Sequence, residues 1–426
     1  MSEAAEITCE IARLGLRGDG VTPDGAVVPG ALPGETVRAV PEEGTRPPRA
    51  RLDAVLTPSP DRIAPFCPYF GICGGCAVQH LAPAPYAAWK RDLVVGALTR
   101  AGIEAPVAPL LDAHGLGRRR ITLHVRAGEG GHPPHGGGPQ AGFMAARSHA
   151  LVAIDHCPIT EPALHRAPEI ARAVSRPLGG GGAKPLDVQV TATRGGLDVD
   201  IRGHGPASDR ARQALVLLAG ELDLARLSLH GDVLIVRRPP EIAAGRARLV
   251  PPAGGFLQAT AEGEATLARL VVEGIGKAKR VVDLFSGAGA FSLALAEGHT
   301  VHAVEGEEGA LKALDRAFRE TPGLRTVTTE RRDLFRRPLL APELDRHDAI
   351  VFDPPRAGAE AQSARIAESK VPVVVGVSCD AGSFARDAAL LVRGGYRLEA
   401  VTPVDQFRHS PHVEIVGVFR RPGKKR

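Results

Sequence analysis

The chain lacks the sequence features of membrane-spanning and secreted proteins. It has no run of about 18 apolar residues, the length that a membrane-spanning helix needs. Its first residues contain no basic segment followed by an apolar one, so we expect no secretory signal. We therefore expect a cytoplasmic protein that does not enter a membrane. Aromatic residues make up only 4% of the chain, so side chains that could stack on a flat ligand are scarce.

The rest of the composition is that of a globular protein. The chain has 426 residues, enough for about two to four domains. Hydrophobic residues account for 44% and charged residues for 24%, as in ordinary soluble domains. The net charge of +5 permits a polyanionic partner such as a nucleic acid but does not establish one.

Four of the six cysteines form a candidate metal site. The segment CPYFGICGGCAVQHL contains a C-x5-C-x2-C pattern, and a further cysteine follows in IDHCPI. Four thiolates can hold a zinc ion or a 4Fe-4S cluster. The glycine pair lets the backbone approach cluster sulfurs, which favours iron–sulfur, while zinc or no metal stay open from the spacing alone. The candidate ligands are Cys67, Cys73, Cys76 and Cys157.

The order of predicted strands and helices divides the chain into three parts. Residues 1–57 contain short alternating strands and turn signals, typical of a small closed β-barrel of the OB type. Residues 58–254 contain the cysteines, a predicted helix over about 85–101, further alternating strands and a glycine-rich hairpin loop, GEGGHPPHGGG. Over residues 255–426 strands alternate with helices, which predicts an α/β doubly wound parallel sheet.

A candidate cofactor site begins at a strand, a glycine turn and a helix in VVDLFSGAGAFSLALA. Gly287 and Gly289 would let a ligand approach the backbone, but dinucleotide-binding folds share this unit. Ser292 stands where those folds have their third glycine, which favours S-adenosylmethionine. Glu305 and Asp333 end the next two predicted strands, where they could bind ribose hydroxyls and adenine.

A second group of candidate residues could carry chemistry. Cys379 ends an apolar run, VPVVVGVSCD, and Glu414 lies in HVEIVGVF. A thiol at a strand tip with a carboxylate can act as nucleophile and base, although an inert buried thiol gives the same pattern. Asp353 ends another strand in IVFDPPRAG, where two prolines stiffen the chain.

Taken together, these segments resemble the uridine-C5 RNA methyltransferases that use S-adenosylmethionine. The matching elements are the glycine turn, D-P-P-R, S-C-D, H-V-E and the C-x5-C-G-G-C pattern. The resemblance is specific from residue 255 onwards and around the cysteines, and it is thin between residues 158 and 254. It implies methylation of C5 of a single-stranded or flipped uridine in RNA by a monomer. Ribosomal 23S RNA is the expected substrate, because the tRNA-type relatives usually lack both the barrel and the cluster.

The resemblance also assigns parts and residues. It implies a TRAM-type RNA-binding barrel over 1–57, a central domain over 58–254 with a 4Fe-4S cluster held by the four cysteines, and a methyltransferase domain over 255–426. Cys379 would add to C6 of uracil and Glu414 would remove the C5 proton. The implied catalytic residues are Cys379, Glu414 and Asp353, and the implied S-adenosylmethionine contacts are Gln258, Phe285, Gly287, Glu305, Asp333 and Asp353.

Several positions depart from the family's pattern. Ala290 stands where the family usually has Thr or Asn, and Thr260 where it often has Asn. The family's S-C-N-P-A becomes S-C-D-A-G, so that Asp380 lies beside the thiol and would tend to raise its pKa. Because a free thiol is mostly protonated at neutral pH, we nevertheless expect the site to stabilise the thiolate, with Arg356 and Arg386 as candidate cations.

Other functions stay open at this point. The chain could be a tRNA uridine-C5 methyltransferase, or an iron–sulfur RNA-binding or redox-sensing protein whose methyltransferase domain is inactive. Cytosine-C5 methylation is a weaker option, since those enzymes generally place Pro before the cysteine and this chain has Ser378. For RNA contact we expect the arginines of Gly117–Arg120 and the basic residues of Gly423–Arg426, with stacking by Phe143, Phe407, His409 and Tyr69.

Overall fold

The structure is a computed structural model, and it describes residues 6–128, 138–181 and 185–422. Most of the predicted glycine-rich loop and the basic residues 423–426 lie outside the described residues. Contacts divide the chain into two compact units. The first unit comprises Met1–Leu93, Phe143–Val152 and Phe407–His412, and the second comprises Val94–Gly142, Ala153–Gln406 and Val413–Arg426. The predicted domain boundaries at 57/58 and 254/255 stay predictions.

Strands and helices are numbered in chain order. The strands are β1 (Ile7–Glu10), β2 (Arg13–Leu14), β3 (Gly20–Val21), β4 (Val27–Val28), β5 (Thr36–Glu42), β6 (Arg49–Thr57), β7 (Leu111–Asp112), β8 (Arg120–Arg126), β9 (Gln140–Met144), β10 (Leu151–Ala153), β11 (Leu186–Thr193), β12 (Gly196–Arg202), β13 (Arg226–Leu229), β14 (Asp232–Val236), β15 (Ile242–Ala244), β16 (Ala247–Leu249), β17 (Arg280–Leu284), β18 (Thr300–Glu305), β19 (Val327–Arg331), β20 (Ala349–Phe352), β21 (Val373–Ser378), β22 (Arg397–Asp405) and β23 (Glu414–Arg420). The α-helices are α1 (Pro83–Arg100), α2 (Ala167–Ser175), α3 (Asp209–Glu221), α4 (Ala261–Ile275), α5 (Ala290–Leu295), α6 (Glu308–Glu320), α7 (Ala341–Leu344), α8 (Glu360–Glu368) and α9 (Ala381–Arg393).

Six short strands of the first unit form one sheet in the order β1-β5-β6-β4-β3-β2. They lie in the range where turn signals predict alternating strands, and closure into an OB-type barrel stays a prediction. Gly18 has a φ of 81°, and a Cβ there would lie 2.7 Å from Cγ1 of Val78, so this turn requires glycine. The core of the sheet consists of Ile11, Val28, Ala31, Val37, Ala39 and Ala50.

The larger sheet of the second unit has the strand order β19-β18-β17-β20-β21-β23-β22-β7. Strands β17 to β21 pair in parallel, whereas β23 runs antiparallel to both of its neighbours. The predicted α/β doubly wound sheet is confirmed, with β23 as a reversed strand that the sequence pattern does not reveal. The chain passes from one side of β17 to the other between β19 and β20, which creates a topological switch point where such sheets bind ligands.

Helices on both faces of this sheet explain its apolar sequence. Every residue of β20 and β21 is buried, as expected when both faces of a parallel sheet are covered. One core cluster contains Val94, Ala97 and Leu98, from the later turns of α1, together with Val282 and Ile350 of the sheet. The helix predicted over about 85–101 is therefore α1, and the later turns of α1 belong to the core of the larger sheet.

A smaller sheet, in the order β10-β9-β8-β11-β12-β13-β14, provides a residue that supports the site. Arg119, just before β8, donates from its backbone to the carbonyl of Ala259 (2.9 Å) and from Nε to the carbonyl of Gln258 (2.9 Å). Its guanidinium also pairs with Glu264 of α4, and both side chains are almost fully buried. Burial raises the pKa of the Glu264 carboxyl, and the charge of Arg119 opposes this rise.

The buried pair predicts a large loss of stability when its cation is removed. We expect Arg119→Met to lower the free energy of unfolding by about 3 kcal/mol, because it leaves the Glu264 carboxyl buried without its partner. Arg269→Met is the matched control, because it breaks an exposed pair with Glu273 on the same helix and should cost about 0.5 kcal/mol or less. Urea unfolding of both variants measures the difference, and equal midpoints would contradict this role of Arg119.

Candidate active site

The candidate catalytic side chains gather at one edge of the larger sheet. Asp353 follows β20 and Cys379 follows β21, while Glu305 is the last residue of β18. Because β23 is antiparallel, its first residue, Glu414, lies at the edge where the parallel strands end, opposite Val404 of β22. The structure therefore brings the three candidate catalytic residues to the same edge as the glycine turn after β17.

The turn after β17 has the backbone conformation that a close ligand requires. Phe285, Gly287 and Gly289 all have positive φ, of 60°, 55° and 96°. A Cβ on Gly289 would lie 2.4 Å from Cδ1 of Leu314, whereas a Cβ on Gly287 would meet nothing within 4 Å. Gly289 is therefore required for packing, and Gly287 leaves open space above the turn.

Glu305 holds this turn in place. One carboxylate oxygen accepts a hydrogen bond from the amide of Gly287 (3.0 Å), and the other accepts from the amide of Glu307 (2.9 Å). Each oxygen can still accept another hydrogen bond, so the carboxylate can serve a ribose as well as the turn.

Two aromatic rings form an apolar wall beside the turn. Phe285 packs against Phe335, with their ring centres 5.3 Å apart, and half of Phe335 is exposed. Asp333 accepts hydrogen bonds from the amides of Phe335 (3.0 Å) and Arg336 (3.3 Å), so it fixes the turn that presents Phe335. Sequence reasoning assigned Asp333 but missed Phe335, although an aromatic two residues beyond a strand-ending acid is a usable signal.

A buried acid under the turn was also missed. Asp283 of β17 is fully buried, and Ser292 of α5 donates a hydrogen bond of 2.6 Å to it. Burial raises the pKa of Asp283 to about 7, with the Ser292 hydrogen bond opposing and the charges of Asp353 and Glu305 adding to the rise. The serine that replaces the third glycine therefore has a partner inside the fold.

Hydrogen-bonded side chains connect the two ends of the site. Gln258 donates from Nε2 to Asp353 (3.2 Å), and its Oε1 accepts from Gln406 (2.7 Å). Gln406 also donates to Glu414 (2.9 Å). Gln258, Gln406 and Glu414 are all nearly fully buried. The sequence alone did not assign a role to Gln406, which lies six residues before His412 of H-V-E.

The acids and the thiol influence one another strongly. Asp353 keeps part of its surface open, yet it is enclosed deeply enough that burial raises the pKa of its carboxyl well above the usual range. The charge of Glu414 adds to this rise, and the hydrogen bond from Gln258 opposes it. Burial, followed by the charges of Glu414 and Asp353, raises the pKa of the Cys379 thiol to about 11. The three groups, which lie at the ends of the adjacent strands β20, β21 and β23, are therefore close enough to interact electrostatically.

The expectation that the site stabilises the Cys379 thiolate is wrong. Arg356 forms an ion pair with Asp380 at 3.6 Å, and Arg386 binds Asp387 at 2.8 Å. The charge of Asp380 raises the thiol's pKa, as the sequence predicts. Its carboxylate accepts from the amide of Ser383 (2.9 Å) and so caps α9, which gives this aspartate a structural role beside the thiol.

Thr260 has a structural role as well. Its hydroxyl accepts a hydrogen bond from the amide of Gly263 (2.8 Å), capping α4, and donates to the carbonyl of Ala113 (2.7 Å). A side chain that departs from the family's pattern is thus fully engaged in positioning the helix that follows Gln258.

Two arginines of the run Gly117–Arg120 do not fit the expected role in phosphate contact. Arg119 is buried with Glu264, and Arg120 donates to Thr191 (2.8 Å) and to the carbonyl of Gly255. Burial lowers the pKa of Arg120 to about 10. These two side chains stabilise the fold of the second unit instead of meeting a polyanion at its surface.

The cysteine-rich segment lies in the first unit as a series of turns. The amide of Gly75 donates to the sulfur of Cys73 at 3.4 Å. Burial raises the pKa of the Cys73 thiol, and the charge of Cys67 adds to the rise. Cys157 belongs to the second unit. Among residues 6–128, 138–181 and 185–422, no group of three or more His, Cys, Asp or Glu side chains is arranged to hold a metal ion. The four-cysteine ligand set stays a prediction.

The four expected stacking residues, Tyr69, Phe143, Phe407 and His409, all lie in the first unit, two of them in the segment Phe407–His412. The ring of His409 lies between the rings of Phe66 and Tyr86, with ring centres 5.3 and 5.8 Å away. The backbone amide of His409 donates a hydrogen bond to the Tyr86 hydroxyl (3.0 Å). More than half of Phe66 is exposed beside it.

Within the described ranges, no helix is long and apolar enough to cross a membrane.

Comparison with protein-family models gave no match. Curated proteins gave clear relatives. An uncharacterized RNA methyltransferase of Brucella suis is 45% identical over 423 residues, covering 99% of both chains. The 23S rRNA (uracil(1939)-C(5))-methyltransferase of Chromohalobacter salexigens is 34% identical over 408 residues, covering 92% of this chain and 83% of that protein.

A solved structure shares the fold along nearly the whole chain. The tRNA (uracil-54, C5)-methyltransferase of Pyrococcus abyssi, in complex with S-adenosyl-L-homocysteine, matches with a TM-score of 0.73 and 22% identity. The match covers 97% of this chain and 100% of that one. The strand-edge pocket, the relatives and the shared fold lead to one conclusion: the chain belongs to the family of S-adenosylmethionine-dependent RNA uracil-C5 methyltransferases.

Proposed function

We propose that this protein transfers a methyl group from S-adenosylmethionine to C5 of a uridine in RNA through a covalent bond between Cys379 and C6 of uracil. The observation that carries the proposal is that Asp353, Cys379 and Glu414 lie at the ends of the adjacent strands β20, β21 and β23, where both carboxyls act on the pKa of the thiol. A nucleophile, a carboxyl with a raised pKa and a second carboxylate are the groups that this reaction requires.

The chemistry assigns one step to each side chain. The Cys379 thiol releases its proton to water, and the sulfur adds to C6 so that electrons move to C5 and the neighbouring carbonyl. S-adenosylmethionine, when bound, supplies a methyl group on a positively charged sulfur. After C5 has accepted the methyl group, Glu414 removes the C5 proton, the C6–S bond breaks, and the electron pair returns to sulfur.

Asp353 can stabilise the charge that develops on uracil. Burial and the charge of Glu414 raise the pKa of its carboxyl, which favours the protonated form. Gln258 donates to Oδ2, so a proton on the other oxygen, Oδ1, can be donated to a uracil carbonyl. Asp353 would therefore act as a neutral hydrogen-bond donor beside the ionised acceptor that the last step needs.

The cofactor would lie over the glycine turn. Gly287 leaves open space for it, Glu305 offers acceptor capacity to the ribose, and the rings of Phe285 and Phe335 offer an apolar wall for the adenine. Asp333 supports this wall through the Phe335 amide, and Gln258 faces the end of the pocket that Asp353 occupies.

We propose 23S ribosomal RNA as the substrate, acted on by a cytoplasmic monomer at an unpaired or flipped uridine. The support is the relative from Chromohalobacter salexigens, named for this activity and 34% identical, whereas the likeness to the tRNA enzyme rests on the fold. The six-stranded sheet of residues 7–57 would bind RNA as a TRAM-type barrel.

Replacing Cys379 with Ser should abolish the reaction. We expect the loss of methyl transfer by roughly 10³-fold or more, and of the covalent adduct with 5-fluorouridine-substituted 23S rRNA, because a serine hydroxyl is not ionised near neutral pH. Cys9→Ser is the control and should keep the parental rate, since Cys9 lies in the first unit. Mass spectrometry measures the adducts formed with 5-fluorouridine-substituted 23S rRNA and, for comparison, those formed with 5-fluorouridine-substituted tRNA. Parental turnover by Cys379→Ser would refute the mechanism, and adducts with tRNA alone would refute the substrate.

We also propose that Cys67, Cys73, Cys76 and Cys157 hold a 4Fe-4S cluster that stabilises the fold or assists RNA binding. The spacing supports it, together with the glycine pair and the hydrogen bond from Gly75 to the Cys73 sulfur.

Metal analysis of the anaerobically purified protein tests the cluster. We expect about four iron and four sulfide per chain, and their loss in Cys76→Ser but not in Cys9→Ser. Methylation of RNA by the Cys76→Ser variant would be measured in parallel, because a cluster that is only structural should leave the chemistry of folded molecules intact. Stoichiometric zinc, or protein without metal, would show that the assignment is wrong.

A further inference from the structure

We propose that Gln406 is a positioning residue that joins the methyl-donor side of the site to the proton acceptor Glu414. The inference rests on the proposed function, because it assigns Gln406 to the same reaction. Gln406 follows β22 and is fully buried, and its amide makes four hydrogen bonds. Two go to side chains of the site, Gln258 and Glu414, and two come from the backbone of Ala259 and Thr260.

The surroundings fix the orientation of the Gln406 amide. The backbone amides of Ala259 (3.0 Å) and Thr260 (3.4 Å) can only donate, so the Gln406 oxygen must face them. Its NH2 group must then face Gln258 (2.7 Å) and Glu414 (2.9 Å). Rotation of the amide by 180° would place donors against donors and oxygens against acceptors.

This orientation passes on to Gln258. Because Oε1 of Gln258 accepts from Gln406, its NH2 group must point towards Asp353, which accepts at 3.2 Å. Gln406 therefore orients the NH2 group of Gln258 towards Oδ2 of Asp353. The other oxygen, Oδ1, is then left to carry the proton that the proposed reaction uses. Gln406 acts on this side of the site only through Gln258.

On the other side, Gln406 acts on the acceptor directly. Its NH2 group donates to one carboxylate oxygen of Glu414, so this oxygen has a fixed partner in the fold. One neutral side chain thus orients both the residue that faces the methyl donor and the residue that removes the proton. Occupancy of the donor side and the position of the carboxylate are coupled through it.

The helix beside Gln406 leaves room for it. A Cβ on Gly263 of α4 would lie 2.6 Å from the Gln406 oxygen and 2.8 Å from its Cβ. A glycine one turn into the helix is therefore needed for the Gln406 side chain to reach the backbone of Ala259 and Thr260. This contact is independent of the hydrogen bonds and offers a second way to disturb Gln406.

The test compares Gln406→Met with Gln362→Met in the full chain. Gln362 of α8 is the matched control: it is equally buried, and both ends of its amide bond to the backbone of Leu339, at 2.8 and 3.2 Å. Calorimetry measures the binding of S-adenosylmethionine, and tritium release from [5-³H]uridine-labelled RNA of a deletion strain measures turnover. We expect Gln406→Met to weaken binding and to lower kcat, each about 10- to 100-fold, and Gln362→Met to change neither by more than about twofold.

A pH profile separates positioning from simple structural support. Gln406→Glu keeps oxygens for Ala259 and Thr260, and it regains an O–H donor only when the new carboxyl is protonated. Its activity relative to the parental protein should therefore recover as the pH falls, whereas Gln406→Met should show no recovery.

The outcomes distinguish this inference from the proposed function. If the parental protein forms no 5-fluorouridine adduct and releases no tritium from either ribosomal or transfer RNA, the proposed function fails, and the inference fails with it. If the parental protein is active but Gln406→Met matches Gln362→Met in both binding and kcat, only the role of Gln406 is refuted. A pH-independent defect in Gln406→Glu would also refute it.

Discussion

In the candidate active site, three groups that can each become negatively charged lie close together and are partly or fully buried. Asp353, Glu414 and Cys379 lie together where the strands of the larger sheet end, and water cannot screen their charges there as it does at a surface. The pKa of Asp353 therefore rises well above its usual range, and that of the Cys379 thiol rises to about 11. The arrangement thus favours the protonated forms of the Asp353 carboxyl and of the Cys379 thiol. In the proposed reaction the carboxyl donates a hydrogen bond, and the thiol must lose its proton before the sulfur attacks.

Two neutral amide side chains stabilise the closely spaced carboxyls of Asp353 and Glu414. Gln258 and Gln406 donate to the two carboxyls without adding a charge to the pocket. The Gln406 amide is oriented by backbone groups just before α4 and in turn orients the amide of Gln258, while Arg119 binds backbone carbonyls of the same turn. The fold thus supplies hydrogen bonds to the acids from rigid elements, so that little reorganisation is needed when charge moves.

Much of this site follows from the sequence because strand ends can be recognised locally. The apolar runs before Asp353 and Cys379 mark buried parallel strands, and parallel strands must end at one edge, so those residues could be predicted to meet. The reversal of β23 and the role of Gln406 could not, because both depend on contacts between residues far apart in the chain. Burial of the arginine run was also hidden, since Arg119 lies 145 residues from its partner.

The pKa of the Cys379 thiol likewise depends on groups that only the fold brings together. Its titration is also the most direct test of the charges in the site. Iodoacetamide alkylation of Cys379 in the full chain without RNA, followed by mass spectrometry of its peptide, reports the thiolate fraction at each pH. With a thiol pKa of about 11, the rate should rise about tenfold per pH unit from pH 7 to pH 10, without a plateau. A rate that levels off near pH 8 would mean that the pocket stabilises the thiolate, and it would contradict the account of the charges around it.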